Sequence, residues 1–380
     1  RCGVSRTPLV ETSIPDLAAA LAAGELTAVE LVQGYLDRIA AYDREPSGDG
    51  ARPALNAVVV DNPAALDEAR ASDERRARGA SLGPLDGIPY LAKDSYMVRG
   101  LTVASGSPAF ADLVAQHDAF TVERLRAAGA ICLGLTNMPP MANGGMQRGL
   151  YGRAESPYNP DFLPAPFGSG SSNVVVPYTH TVGELLLVLD AIVADDAGVE
   201  GAGVRGDFWR AQPWLPLPAS SEVRPASYPA LADPDALRGR RLGIPRLYIN
   251  ADEATDDPII TRPSVVAQWR KARAVLEAAG AEVVEVDLPV VANYESRGRA
   301  VDRSMVARGL VPPAFADHEL YELSMWGWDE FLQANGDPAL HRLVEDQEAR
   351  PPQHRPRQQC PLKLAARQIV HLRLRQMRDT

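Results

Sequence analysis

Two segments of the chain share one grammar. Thr121-Val-Glu-Arg-Leu-Arg-Ala-Ala-Gly-Ala-Ile-Cys-Leu-Gly-Leu and Ala274-Val-Leu-Glu-Ala-Ala-Gly-Ala-Glu-Val-Val-Glu-Val each read as a helix closed by a glycine, Gly129 or Gly280, with a strand starting at once. Such a reversal needs a residue that enters left-handed backbone freely, and glycine does so because it has no Cβ. A helix, a glycine and a strand, written twice, mark an α/β layered fold. With 380 residues, 46% of them hydrophobic, the chain can fill the large core such a fold needs.

The rest of the pattern alternates in the same way. Ser13 with Pro15 opens a helix that stops near Gly24, and the capping box Thr27-Ala-Val-Glu30 opens another over about 28–42, with Leu31, Tyr35 and Ile39 at helical spacing. Residues 55–60 read as a strand, 63–78 as a charged helix and 88–92 as a short buried strand. Thr181-Val-Gly-Glu184 caps a further helix running to about Val193. Residues 204–230, with Trp209, Trp214 and five prolines, read as a long ordered loop, its tryptophans serving packing rather than a pocket.

Charge and cysteines narrow the function classes. The net charge is −10, but residues 350–380 hold eight Lys/Arg against one acid, so the body is strongly acidic and nucleic acid is not its expected partner. Cys2, Cys132 and Cys360 stand apart in no disulfide or zinc spacing, which points to a reducing, cytoplasmic setting, with a leader before Arg1 left open. No apolar run reaches the length of a membrane span. The pattern of strands and capped helices ends near Arg350, so 1–349 reads as one domain and 350–380 as a basic tail that is disordered or foreign to the fold.

Metal and nicotinamide chemistry find no support: there is no H-E-x-x-H, Walker loop, G-x-S-x-G elbow or dinucleotide fingerprint. What remains is Lys93, at the end of the apolar run Leu85-Asp-Gly-Ile-Pro-Tyr-Leu-Ala-Lys93-Asp94, and the loop Gly168-Ser-Gly-Ser-Ser-Asn173. A lysine serves as a base only when neutral, and burial against apolar surface favours the neutral amine. Such an amine can take a proton from a serine hydroxyl, directly or through a second serine, while glycines let backbone N–H groups approach an oxyanion. Taken alone, such a lysine is more often a solvated charge or a partner of Asp94 than a base, and such a serine run more often a flexible linker than a catalytic loop.

In order along the chain, LDGIPYLAKD, Ser105-Gly-Ser-Pro-Ala-Phe110, Asp118-Ala, VERLRAAGAICLGLTNMP, Asn159-Pro160, SGSS and HTVGELLLVLDAIVADD resemble the amidase signature family. Weaker likeness, with MWGWDEFLQANGDP, extends to about residue 348. The resemblance implies an α/β/α fold with a central mixed sheet flanked by helices. It also implies hydrolysis or transfer of a carboxamide C–N bond in a small-molecule amide, with no metal or organic cofactor. The family's catalytic lysine falls on Lys93, which should then be buried and within reach of Ser171, the position of the bridging serine. Gly170 and Ser172 belong to the same loop and would shape it or contact substrate.

The acyl-forming serine has no counterpart. Where related chains continue from SGSSN into a Gly/Ser-rich stretch, a helix and the nucleophile strand, Val174 here follows Asn173 directly, and the likeness resumes at HTVGELLLVLDAI. Ser220, Ser221 and Ser227 lie where the family has no nucleophile. The expected fold therefore lacks a helix and a strand after residue 173, with a hole in the core and open strand edges. Residues absent from the recorded chain, a mis-joined gene product and a catalytically dead remnant that binds a ligand or partner all fit that junction. Substrate identity and oligomeric state stay open.

Overall fold

The structure is a computed structural model. It describes residues 8–48, 50, 53–142, 149–157, 176–195, 218–252, 259–288, 307, 309, 312–314 and 324–340.

Helix α1 (Ile14–Ala23) starts where the Ser13 hydroxyl accepts the Asp16 N–H, and it ends at Gly24 in left-handed backbone. Helix α2 (Ala28–Ile39) carries the expected capping box between Thr27 and Glu30. Asp73, on helix α3 (Ala65–Ala77), adds a second cap by accepting the N–H groups of Ala28 and Val29 at 2.7 and 3.1 Å. The end of α2 differs from the expected single helix to about residue 42: it widens into a π turn, Ala40–Arg44. That turn places the buried Asp43 carboxylate on the N–H groups of Ala57 and Val58. The strand that follows accordingly begins later than expected, as β1 (Val58–Asp61).

Strands β2 (Pro89–Lys93) and β3 (Ile131–Thr136) are joined through helix α4 (Phe120–Ala127), giving a parallel pair, and β1 pairs antiparallel on the other side of β3. Ile131 and Leu133 of β3 pack with Ile88 against α1, α2 and α3, while Cys132 and Leu135 pack with Ala92, Val98 and Val122 of α4. Helices thus cover both faces of a mixed sheet, as an α/β/α fold requires. Gly129 closes α4 at φ 81°, and a Cβ there would lie 2.5 Å from the Asp86 carboxylate, so the position is closed to side chains on two counts.

The expectation of a buried strand over 88–92 needs correcting. β3 is buried along its length, but β2 pairs on one side only among the described strands, and Leu91 is 40% exposed. The second helix–glycine–strand segment forms β4 (Arg241–Pro245), α7 (Pro263–Ala278) and β5 (Glu282–Val286), a parallel pair with Gly280 at φ 92°.

Helix α5 (Val182–Ile192) has the expected Thr181–Glu184 capping box, and Glu184 also accepts the Ile14 N–H at 2.7 Å, tying the starts of α5 and α1 together. A short helix α6 (Ser220–Val223) begins the described part of the Pro-rich region; Trp209 and Trp214 lie outside the described residues, as does the 350–380 tail. Helix α8 (Ser324–Asn335) docks on the segment after β2. Trp328 stacks on Phe110 with ring centres 4.9 Å apart, and Leu332 is fully buried beside Val103 and Leu113. Asn335 and Asp337 accept the N–H groups of Gln116 and Val114.

Candidate functional site

The carboxyl ends of a parallel strand pair are where open α/β sheets place their ligands. Here that edge is Lys93 on β2, in register with Thr136 on β3. Side chains alternate along a strand, so of Lys93 and Asp94 only one can face the core. Asp94 does: it is fully buried, and its backbone N–H still donates to Thr136 at 3.1 Å. Lys93 is exposed, contrary to the expected buried lysine. Nor are the two paired. The Asp94 partners among the described residues are the N–H of Gly106 at 2.7 Å, the N–H of Ala104 at 3.3 Å and the hydroxyl of Tyr151 at 3.4 Å.

Those contacts organise the turn at residues 104–107. Ser105 sits in left-handed backbone at φ 48°, its N–H donating to the Asp94 carbonyl and its carbonyl accepting the Met141 N–H at 2.7 Å. A Cβ on Gly106 would fall 2.4 Å from the Met138 carbonyl oxygen, so the turn is pressed against the segment after β3 with no space for a side chain. Met141 and Ala142 are also left-handed, at φ 51° and 59°. Three neighbouring non-glycine residues in this sparse region concentrate backbone strain at one end of the sheet, where functional sites store it.

Residues 149–157 close the opposite side. Asn56 Nδ2 donates to the carbonyls of Tyr151 and Arg153, and Asn137 Nδ2 donates to those of Asn56 and Gly152. The Gly106 carbonyl accepts the Leu150 N–H. Burial pushes the Asp94 carboxyl up to about 6 despite its hydrogen bonds from Gly106, Ala104 and Tyr151, and burial together with the Asp94 charge pushes the Tyr151 hydroxyl up to about 12. Among the described residues no group of His, Cys, Asp or Glu is arranged to hold a metal ion, and no helix is long and apolar enough to cross a membrane.

Gly170, Ser171 and Ser172 lie outside the described residues, as does the junction of Asn173 with Val174. Of the downstream serines, the Ser221 hydroxyl and N–H both donate to the Asp195 carboxylate at the start of α6. Sequence reasoning missed Asp94 and Tyr151. Strand parity alone requires that Lys93 and Asp94 face opposite ways, but the signal for which one turns inward is the pair of N–H groups of Ala104 and Gly106, ten and twelve residues on, visible only once folded.

Residues 30–194 match the Amidase family. A glutamyl-tRNA(Gln) amidotransferase subunit of Salinispora tropica is 32% identical over 323 aligned positions, which take in 74% of this chain and 62% of that protein. Indoleacetamide hydrolase of Bradyrhizobium diazoefficiens is 37% identical over 177 positions, 46% of this chain and 32% of that one. Among solved structures, native peptide amidase from Stenotrophomonas maltophilia superimposes with a TM-score of 0.57 at 27% identity, covering 87% of this chain and 78% of that one. The chain thus spans about three fifths of the length of the first of these relatives, 62%. Over residues 30–194 the chain thus matches the amidase family, and over 87% of its length it shares the fold of a solved peptide amidase.

Proposed function

We propose that this chain is built on an amidase-type hydrolase acting on carboxamide C–N bonds through a serine acyl-enzyme, with Lys93 as the base and Ser171 as the proton relay, and that its own sequence lacks the nucleophilic serine. The match of residues 30–194 to the family carries the reading; the exposure of Lys93 counts against a buried neutral base, and what favours Lys93 is its position. Lys93 stands at the carboxyl end of the parallel pair, beside the strained turns at 105 and 141–142, within the stretch that matches the family. Relatives named for amide chemistry support the reaction class without choosing among their substrates.

The alignment supports the missing segment. Of 380 residues, 74% is about 281, some 40 fewer than the 323 positions aligned with the Salinispora protein, so about 40 positions of that relative, in one gap or several, have no counterpart here, and we take them as one block. We place that block between Asn173 and Val174, in a single domain over 1–349 followed by a basic tail, and infer a cytoplasmic setting from the isolated cysteines. A second reading, an inert remnant that at most binds a ligand or partner, is favoured by two observations. Helix α5 is apolar around most of its circumference, yet residues 185–191 are all only half-buried, and β2 is paired on one side among the described strands.

The test restores the segment. Inserting the corresponding stretch of a homologous amidase between Asn173 and Val174 should yield hydrolysis of a simple carboxamide, and Lys93→Ala in that chimera should lower kcat at least a hundredfold. A folded chimera without turnover, or one indifferent to Lys93→Ala, overturns the reading.

A further inference from the structure

Of the buried carboxylates near the sheet, Asp43 and Asp94 have no guanidinium beside them among the described residues; Asp43 accepts the N–H groups of Ala57 and Val58, where β1 begins. Asp86 accepts from Arg75, Ser72 and the Leu82 N–H, and Asp118 accepts from Arg126 and the Arg99 N–H. Each is a buried anion with a guanidinium beside it, the arrangement that makes burial tolerable. Asp94 is equally buried, but among the described residues its partners are two backbone N–H groups and a phenol, with no cation. The one cation adjacent in sequence, Lys93, leaves from the opposite face of the strand end. An unpaired charge held inside the fold is a cost that stability alone does not explain, and such groups cluster at functional sites.

What Asp94 holds is the turn and the segment packed beside the end of β2. Through Gly106 and Ala104 it fixes the turn whose Ser105 carbonyl fastens Met141; through Tyr151 it reaches the segment that leads toward the serine-rich loop. We propose that Asp94 is a positioning residue: its carboxylate clamps the 104–107 turn and the 149–157 segment around the end of β2, and so sets the environment of Lys93. The role rests on Lys93 being the base proposed above. Protonation of Asp94 weakens an acceptor of N–H groups, so the clamp loosens in acid. The titratable group facing it is Tyr151, which stays protonated throughout the range concerned.

The experiment needs no turnover, so its failure is separable from failure of the amidase reading. The chain has lysines at 93, 271 and 363, and Lys271 is exposed on α7, an internal reference. The 380-residue chain is treated with the N-hydroxysuccinimide ester of acetic acid across pH 5 to 8, and the ratio of Lys93 to Lys271 acetylation is read by peptide mass spectrometry. We expect the wild-type ratio to change at least threefold with an inflection near pH 6, and the Asp94→Asn ratio to be flat. Tyr151→Phe, which removes a hydrogen bond favouring the carboxylate, should move the inflection upward, and it carries the test should Asp94→Asn fail to fold. Hydrogen exchange at the Gly106 amide should quicken at least tenfold in Asp94→Asn. A wild-type ratio independent of pH, or an inflection retained in Asp94→Asn, overturns the proposal. Faster exchange at Gly106 with an unchanged lysine ratio does so too, because Asp94 would then hold the turn without acting on Lys93.

Discussion

Asp86 and Asp94 carry opposite pH signatures. Burial alone would raise Asp86, but Arg75, the Leu82 N–H and Ser72 together hold its carboxyl below the usual range. Its contribution to stability is therefore present above about pH 4, near the unfolded carboxyl value, and is lost as pH falls further. Asp94, raised to about 6, contributes in the other direction: its stabilisation is complete below the unfolded value and is lost as pH rises through 6. Urea unfolding should show Asp94→Asn gaining on the wild type between pH 4 and 7, and a constant difference would contradict the assignment. Asp86→Ala leaves Arg75, Ser72 and Leu82 without their acceptor and should cost about 3 kcal/mol at pH 7 by the same measurement. Gly129→Ala, strained in backbone and driven into Asp86, should cost at least ~2 kcal/mol. Residue chemistry was partly legible in the sequence. Lys93 stands out by its place after an apolar run, whereas the inward turn of Asp94 depends on backbone groups from a distant segment.

At the scale of elements, what the sequence reveals is whatever local rules decide. The capping boxes at Thr27 and Thr181 and the closing glycines at 129 and 280 form as read, because each satisfies backbone groups within a few residues. Strand exposure is different. The apolar run at 88–92 reads as buried, but burial of β2 depends on a neighbour from elsewhere in the chain, and Leu91 lacks one among the described residues. The start of β1 is likewise displaced by a tertiary contact, the Asp43 carboxylate. Docking of α8 is a long-range event of the same kind, and Leu332→Ala should destabilise the chain by about 2–4 kcal/mol in urea unfolding. A cost under ~1 kcal/mol would mean that α8 does not share this core.

For the whole molecule, the proposed missing segment bears on how the interior is filled. A helix as apolar as α5 belongs inside a protein, with neighbours around most of its circumference. Its half-buried residues and β2, paired on one side among the described strands, are what the proposed loss of a segment before α5 would leave. That account makes Lys93 and Ser171 the surviving part of a catalytic apparatus whose attacking residue is absent. The direct measurement is intact-mass analysis of the purified 380-residue chain after exposure to a fluorophosphonate probe. The account predicts no covalent adduct, and a stoichiometric adduct mapped to any serine of this chain would contradict it.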